Sequence, residues 1–227
     1  MTKLDARVLL SGGMDSTICL AWAQARYSNV DAVFFEYGQR HLEQERSAAR
    51  FIAGLFGVTL HERPVRYLKG GLVDGDDLSA AGAVVPGRNR AFLMGAIAPG
   101  ELPSVLVMGC NRDDWREFED CRPAFFAQLG LPFGIKIETP LLYTSKGQAL
   151  LMAERLGCAG IVNERAWSCY AGGDEPCGEC GACRARAKAV DDAETLRKAC
   201  PFCGAGFGQL CFHPSHGYTA FHAERRP

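Results

Sequence analysis

The stretch ARVLLSGGMDSTICLAWAQA, residues 6–25, decides the fold. Its apolar segment ARVLL at 6–10 has the pattern of a short buried strand, and after a Gly-Gly turn TICLAWAQA has the apolar spacing of a helix. In an α/β protein, the loop that joins a strand to the next helix lies at the carboxyl end of that strand, where ligands bind. The stretch therefore predicts an α/β domain with a ligand-binding loop at residues 11–17.

The same alternation continues along the chain. Strand patterns recur at 30–38, 58–65, 104–110 and 135–141, and helical patterns at 41–57, 89–98, 122–130 and 145–157. Strands that alternate with helices predict a doubly wound, parallel, five-stranded sheet of the Rossmann-like type. We expect three segments, namely an α/β domain over 1–166, a cysteine lobe over 167–190 and a tail over 191–227.

Composition limits the class of protein. The 227 residues are 48% hydrophobic and 22% charged, enough for one substantial core with a small appendage. A net charge of -1 argues against a surface built mainly to bind nucleic acid. No apolar run approaches the roughly eighteen residues of a membrane span, and the N-terminal run is too short for a secretory signal. We therefore expect a cytoplasmic protein without a membrane partner, whose eleven cysteines serve metal or thiol chemistry.

The string SGGMDS, residues 11–16, has the properties of a phosphate-binding loop. Its glycines allow a tight turn that brings backbone amides close to an anion, and the following helix N-terminus adds partial positive charge. The lysine of the Walker pattern is missing, which disfavours a mononucleotide P-loop of that type. The simpler alternative is a glycine turn with a Ser or Asp helix cap.

Several strings after the strands narrow the family. The string at 11–16 resembles the pyrophosphate-binding loop of the ATP pyrophosphatases, the PP-loop superfamily. Together with YGQRH (37–41), VPGRN (85–89), GCN (109–111), DCRP (120–123) and WSCY (167–170), it resembles the 7-cyano-7-deazaguanine synthase family in order and spacing over residues 7–190. The resemblance implies an adenine nucleotide hydrolase-like fold over 1–166. It also implies an ATP-dependent carbon–nitrogen ligase that turns 7-carboxy-7-deazaguanine and ammonia into the nitrile, through an adenylated carboxylate and an amide. This reaction lies on the route to deazapurine-modified nucleic acid, and the sequence leaves queuosine biosynthesis, archaeosine-like bases and modified DNA open as destinations.

The resemblance also implies roles for particular residues. ATP and Mg²⁺ would be held by Leu10, Ser11, Gly12, Gly13, Met14, Asp15, Ser16, Thr17 and Tyr37. Asp15, acting through the metal, and Lys146 would be catalytic, although Lys146 could also be a solvated lysine at a helix start. The carboxylate and the guanine-like edge of the substrate would be bound by Gln39, Arg88, Asn89, Asn111, Asp120 and Arg122. Asp120 and Arg122 could instead form a surface ion pair of little energetic value.

Four cysteines lie close together late in the chain: Cys169, Cys177, Cys180 and Cys183. Four thiolates at this spacing favour a closed tetrahedral Zn²⁺ site, which would fix a glycine-rich loop that has little core of its own. The alternative is redox or sulfur-transfer chemistry, as in relatives of this fold that thiolate tRNA.

The tail carries a second set of metal-ligand residues: Cys200, Cys203, Cys211 and His222. The set suits a Zn²⁺ knuckle and resembles small Cys-Pro-x-Cys-Gly zinc fingers of actinobacterial and phage proteins. His213 and His216 are alternative fourth ligands, and a tail without metal is a further alternative. Four basic residues flank the set: Arg197, Lys198, Arg225 and Arg226. They leave contact with nucleic acid or a partner protein open, although most charged tails are merely solvated.

One string departs from the family pattern beside the substrate motif. Residues 115–119 read WREFE, where the family tends to have Tyr-Ser-Gly-Tyr-Pro. An altered pocket leaves open an amide synthase that stops at 7-amido-7-deazaguanine, for DNA modification. The more distant alternatives are a tRNA-thiolating PP-loop enzyme and a non-catalytic zinc protein that binds nucleic acid. The resemblance further implies a homodimer.

Overall fold

Five parallel strands form the central sheet of the computed structural model, which describes residues 5–97, 102–213, 217–219, 221, 222 and 225. They are β1 (Ala6–Leu9), β2 (Val30–Glu36), β3 (Leu60–Pro64), β4 (Val105–Val107) and β5 (Lys136–Glu138). Their spatial order is β3-β2-β1-β4-β5, and every neighbouring pair is parallel. This confirms the predicted doubly wound sheet. From β1 the chain builds outward through β2 to β3, and it then returns to the other side of β1 to form β4 and β5, so the strand order reverses between β1 and β4.

Helices cover the sheet and extend beyond it. They are α1 (Met14–Gln24), α2 (Leu42–Leu55), α3 (Arg88–Gly95), α4 (Pro123–Gln128), α5 (Lys146–Arg155), α6 (Ala159–Glu164) and α7 (Gly181–Leu196). A separate antiparallel pair, β6 (Cys211–His213) and β7 (Gly217–Thr219), lies in the tail. None of the helices in these described ranges is long and apolar enough to cross a membrane.

Two helix predictions were too long, and two helices, α6 and α7, were not predicted. The helix predicted over 89–98 begins at Arg88 and ends at Gly95, and the one predicted over 122–130 spans only Pro123–Gln128. Helix α7 was not predicted, because its apolar face is mostly alanine and gives a weak periodic signal. It runs across the predicted boundary between the cysteine lobe and the tail, at residue 190.

Both faces of the sheet are buried, each in its own cluster. Val8 and Phe34 pack on one face, together with Ile18 of α1. Leu9 and Val33 pack on the other face, together with Leu93 of α3. Successive residues of a strand point to opposite faces, so a strand covered on both sides needs apolar residues throughout. This is why the central strands have continuous apolar runs rather than alternating ones.

The loop after β1 is packed too tightly for any side chain at Gly12. This glycine has a φ of +81°, and a Cβ there would lie 2.7 Å from the carbonyl oxygen of Glu45 and 2.8 Å from the backbone nitrogen of Ala49, both on α2. Gly109, after β4, is equally close to the start of α1, since its Cβ would lie 2.9 Å from the carbonyl carbon of Asp15. The two glycines bring the ends of β1 and β4 against α1 and α2.

We expect Gly12→Ala to lower the free energy of unfolding by at least about 2 kcal/mol, because strain at positive φ adds to a backbone clash. Urea unfolding of the full chain measures this loss. Gly54→Ala is the matched control, since Gly54 lies in α2 with open space around it. The control is expected to gain up to about 1 kcal/mol in helix stability. Equal stabilities for the two variants would contradict the packing described for Gly12.

Candidate active site

A cavity of about 580 Å³ lies at the carboxyl end of the sheet, where the strand order reverses. Its walls come from the β1–α1 loop, the ends of β2 and β4, the first turns of α3 and α5, the segment 167–170 and one face of α7. Residues from the whole stretch 7–190, over which the sequence resembles the synthase family, therefore meet in one place. Ten of the residues predicted to bind ATP or substrate, or to act in catalysis, line it directly: Leu10, Ser11, Gly13, Met14, Asp15, Ser16, Tyr37, Arg88, Asn89 and Lys146.

The first turn of α1 provides the part of the cavity suited to an anion. Gly13 is the extended residue before the helix, and its carbonyl accepts hydrogen bonds from the hydroxyls of Ser16 at 3.0 Å and Thr17 at 2.8 Å. The hydroxyl of Ser11 lies 3.1 Å from that of Ser16. The first N–H groups of a helix have no partner within it, and they carry partial positive charge. Donors and charge together make this turn able to hold phosphate groups.

One lysine links two carboxylates beside this turn. Lys146 Nζ lies 3.2 Å from Asp15 Oδ2 and 3.0 Å from Asp114 Oδ1, and its side chain is only 16% exposed. Asn111 Nδ2 donates to Asp15 Oδ2 and to Asp114 Oδ2, each at 2.8 Å. Lys146 is therefore not the solvated lysine of the alternative interpretation. We call Asp15, Asn111, Asp114 and Lys146 the charged cluster.

Burial and pairing shift the pKa values of Lys146 and Asp114 in the charged cluster. Burial opposes the charged form of Lys146, but the carboxylates of Asp15 and Asp114 outweigh it, so the pKa of Lys146 is raised and the ammonium persists. Burial raises the pKa of Asp114; the charge of Asp15 adds to this effect and Lys146 opposes it. Within the described ranges, Asp15 Oδ1 is buried and has no hydrogen-bond partner. A buried carboxylate oxygen without a donor fits a divalent cation such as Mg²⁺.

The end of the cavity formed by β2 and α3 combines a cation with aromatic walls. The guanidinium of Arg88 lies 6.0 Å from the ring centre of Tyr37. Phe92 meets Tyr37 edge-on at 5.2 Å, and burial raises the pKa of Tyr37 despite the opposing charge of Arg88, so its hydroxyl stays neutral. Tyr170 also lines this end. Such a pocket can hold a planar ring and pair the guanidinium with a carboxylate.

Four predicted substrate residues do not line the cavity. Gln39 accepts from the Tyr37 N–H at 2.9 Å and donates to the Phe35 carbonyl at 3.1 Å, so it shapes the end of β2. Asn111 lies beneath the carboxylates that it binds. Asp120 accepts from the backbone N–H of Asn89 at 3.2 Å.

Arg122, the fourth of them, is directed elsewhere. Its Nε donates to the carbonyl of Trp115 at 2.7 Å, and its Nη1 lies 3.6 Å from Glu119. The alternative pairing of Arg122 with Asp120 is therefore wrong, since the nearest carboxylate is that of Glu119. Gly12 and Thr17 likewise support the loop from outside the cavity.

Some cavity residues were missed by the sequence analysis. Asp113 and Asp114 follow GCN (109–111) after one intervening residue, Arg112, beyond the carboxyl end of β4, and this position was the available signal. Asp113 Oδ2 accepts the backbone N–H of Lys146 at 2.8 Å and so joins this segment to the start of α5. His41, Glu117 and Tyr170 also line the cavity. His41 and Tyr170 end the quoted strings YGQRH (37–41) and WSCY (167–170), which were the available signal, although neither residue was assigned a role.

The first cysteine set converges on one point. The sulfurs of Cys169, Cys177, Cys180 and Cys183 all lie within 4.8 Å of one another. A tetrahedral ion bound at about 2.3 Å to each sulfur would place them about 3.8 Å apart, so the set can hold one metal ion. Backbone N–H groups of Glu179 and Cys180 lower the pKa of Cys177 to about 7, which favours its thiolate. The Trp167 N–H donates to the Gly12 carbonyl at 2.9 Å and joins this lobe to the phosphate loop.

The second set converges in the same way. Donor atoms of Cys200, Cys203, Cys211 and His222 lie within 4.8 Å of one another, as expected for a single metal ion. Of the alternative ligands, His216 and the side chain of His213 lie outside the described part of the chain.

Known proteins resemble this chain over most of its length. A family model described as Queuosine biosynthesis protein QueC matches residues 5–194. The 7-cyano-7-deazaguanine synthase of Lysinibacillus sphaericus is 34% identical over 218 residues, covering 87% of this chain and 99% of that protein. The 7-cyano-7-deazaguanine synthase of Chromobacterium violaceum is 37% identical over 213 residues, covering 83% and 89%.

Two solved structures are also similar to the chain. The NMN synthetase of Francisella tularensis has a TM-score of 0.47 and 13% identity, over 78% of this chain and 72% of that one. The U34-tRNA thiolase NcsA of Methanococcus maripaludis, solved with its 4Fe–4S cluster, has a TM-score of 0.48 and 20% identity, over 87% and 68%. Neither likeness bears on function.

Lys146→Met tests the charged cluster, since it removes the buried cation between two carboxylates. We expect the free energy of unfolding at pH 7 to fall by about 3–5 kcal/mol. Loss of the ammonium raises the pKa of Asp114 further, and a group whose pKa is higher in the folded state adds stability toward lower pH. Urea unfolding should therefore show a smaller deficit at pH 5 than at pH 7.

Lys136→Met, at an exposed position on β5, is the control for this experiment. It is expected to change the free energy of unfolding by no more than about 0.5 kcal/mol at either pH. The same deficit for Lys146→Met at both pH values would contradict the electrostatic account.

Proposed function

The chain belongs to the family of queuosine biosynthesis protein QueC, and we propose that it converts 7-carboxy-7-deazaguanine and ammonia into 7-cyano-7-deazaguanine at the expense of ATP. One observation carries the proposal: a single cavity joins a phosphate-suited turn, a charged cluster and an arginine with aromatic walls. ATP would lie over the first turn of α1, and the deazapurine would lie between Arg88 and Phe92. The acid group of the substrate would then face the α-phosphorus.

In the first step, a carboxylate oxygen of the substrate attacks the α-phosphorus of ATP, and pyrophosphate leaves. Carboxylates are poor electrophiles, and the new acyl-phosphate bond supplies a leaving group. The N–H groups of the α1 turn and the Lys146 ammonium lie where negative charge grows on the phosphates, and they are held in place before the reaction. Bound Mg²⁺ would neutralise phosphate charge, and Asp15 Oδ1 is the oxygen suited to hold it.

In the second step, ammonia attacks the activated carbonyl carbon, AMP leaves and an amide forms. The amide oxygen then attacks the α-phosphorus of a second ATP, with release of pyrophosphate. Loss of AMP and of the remaining protons on nitrogen gives the nitrile. Both activations present the same groups to the same phosphate site, so one cavity serves both.

A second candidate is the amide synthase, which omits the final activation. It is favoured by the departure at 115–119, since Glu117 and Phe118 of this segment line the cavity. A bulky ring and a carboxylate at this wall would change how the amide lies toward the second ATP. The mass of the final product, nitrile or amide, distinguishes the two candidates.

We expect purified protein with ATP, Mg²⁺, ammonium and 7-carboxy-7-deazaguanine to release pyrophosphate and to form the nitrile, detected by mass spectrometry. Accumulated amide would select the second candidate instead. Asp15→Asn should lower kcat/KM about 100-fold or more, because its charge lies at the phosphate site. Asp191→Asn, exposed on α7, is the control and should keep wild-type activity. Metal-loaded protein that releases no pyrophosphate would refute both candidates.

We further propose that the first cysteine set binds a structural Zn²⁺. All four ligands come from the protein, so no coordination position is left for substrate. The ion would fix the lobe that contributes Tyr170 to the cavity and whose Trp167 binds the phosphate loop. Four sulfurs around one point exceed what a redox pair needs, which argues against thiol chemistry.

Cys180→Ser should lose one Zn²⁺ per chain and unfold at lower urea concentration, because the ion replaces a missing apolar core. Metal analysis and urea unfolding measure the two effects. Cys158→Ser is the control, since Cys158 is buried in the main core and belongs to neither cysteine set. If Cys180→Ser kept full Zn²⁺ content and stability but lost activity, the structural role would be wrong.

A further inference from the structure

The tail of the chain forms a second metal-ligand set that the family match does not reach. The match ends at residue 194, whereas Cys200, Cys203, Cys211 and His222 all lie beyond it. Neither the phosphate loop nor the charged cluster needs these residues. The tail therefore carries a group of metal-binding residue types that is separate from the cavity.

The backbone of the tail brings these donors together. The Cys200 N–H donates to the Ala205 carbonyl at 2.8 Å, and the Gly204 N–H donates back to the Cys200 carbonyl at 2.9 Å, which closes a tight turn around Cys203. Strand β6 begins at Cys211, and Cys200 Sγ lies 3.5 Å from His222 Nδ1. Three sulfurs and one imidazole from four separate points of the chain thus surround one position.

We propose that Cys200, Cys203, Cys211 and His222 bind a second Zn²⁺, and that this ion clamps the end of the chain onto the C-terminus of α7. Thiolate and imidazole are the ligands that Zn²⁺ prefers, and four protein ligands leave no open coordination position. The ion is structural and takes no part in the chemistry of the cavity.

Arg225 shows what the clamp holds in place. Its side chain is only 1% exposed, although it lies three residues after the ligand His222. The guanidinium donates to carbonyl oxygens at the end of α7 and in the segment that follows the turn around Cys203. The distances are 2.5–3.3 Å, and the acceptors are the carbonyls of Thr195, Leu196, Lys198, Gly206 and Gln209.

The last carbonyls of a helix lack partners and carry partial negative charge, so a buried cation is well placed against them. Bonded in this way, Arg225 is not available for nucleic acid, and Arg226 lies outside the described residues.

Helix α7 is consequently held by a metal set at each end. Cys180 precedes its first turn and Cys183 lies within that turn, while Cys200 follows Leu196 by four residues. The Gly208 N–H donates to the Leu196 carbonyl at 2.9 Å, and Gln148 Nε2 donates to the Gly208 carbonyl at 2.8 Å. Through these two hydrogen bonds, Gly208 connects the end of α7 to the first turn of α5, which begins at Lys146.

Metal analysis of the full chain tests the site. Wild-type protein should contain two Zn²⁺ ions, and His222→Ala and Cys203→Ser should contain one. His222→Cys should restore the second ion, because a thiolate replaces the imidazole, and His216→Ala should keep both. A Zn²⁺ content that is the same in the wild type and in His222→Ala would overturn the proposal, whichever number of ions the first cysteine set holds. With Co²⁺ in place of Zn²⁺, His222→Cys should strengthen the thiolate-to-metal absorption, and an unchanged spectrum would also overturn it.

Hydrogen exchange tests the clamp separately from activity. Loss of the second ion in His222→Ala should speed amide exchange at least tenfold in residues 195–198 and 205–209, and also in the first turn of α5. Residues 14–24 of α1 should exchange as in the wild type. Unchanged exchange around residues 195–209 in a variant shown to lack the second ion would overturn the clamp. Arg225→Met should speed exchange in the same residues while keeping both ions, and a lost ion there would contradict separate roles for metal and arginine.

Discussion

The Lys146 ammonium between the carboxylates of Asp15 and Asp114 is the contact on which the site depends. Each partner comes from a different part of the chain: the first turn of α1, the segment after β4 and the start of α5. Buried charges are costly unless they are paired. If one of these elements moved, the charges on the other two would remain buried without a partner, so the three elements must keep their positions. Asn111 and the N–H bonded to Asp113 complete this arrangement. The phosphate-suited turn is thereby held beside a fixed positive charge, which suits the chemistry proposed for the cavity.

The C-terminal quarter of the chain follows a different principle. The sheet has two apolar clusters, one on each face, whereas residues 167–225 contain seven cysteines and eight glycines, and Cys169, Cys180 and Cys183 form a small cluster of their own. Segments that cannot bury much apolar surface need another source of stability, and sets of soft ligands supply one through metal binding. Helix α7 joins the two regions, since its one face lines the cavity and both its ends are followed or preceded by cysteine ligands.

Particular residues show where sequence reasoning about the site worked. The SGGMDS loop, Arg88 and Lys146 were predicted to form the site, and all of them except Gly12 line the cavity, because glycine turns and helix starts after strands have one location in this fold. Gln39, Asn111, Asp120 and Arg122 belong to equally suggestive strings but point to backbone groups or to other side chains. Whether a polar side chain after a strand faces the cavity or the loop beneath it depends on one or two torsion angles. No residue pattern records those angles.

By itself, the sequence determined the parallel five-stranded sheet, the glycine turn after β1 and the two groups of residues that can bind a metal ion. Each of these depends on local spacing, such as strand and helix periodicity or cysteines two residues apart, and local spacing is written in the chain. Only the tertiary structure decided that Asp114 pairs with Lys146, that Arg225 is buried against the end of α7, and that this helix continues past residue 190. These outcomes depend on contacts between residues 27 to 32 positions apart, and on competition among many polar groups for the same partners.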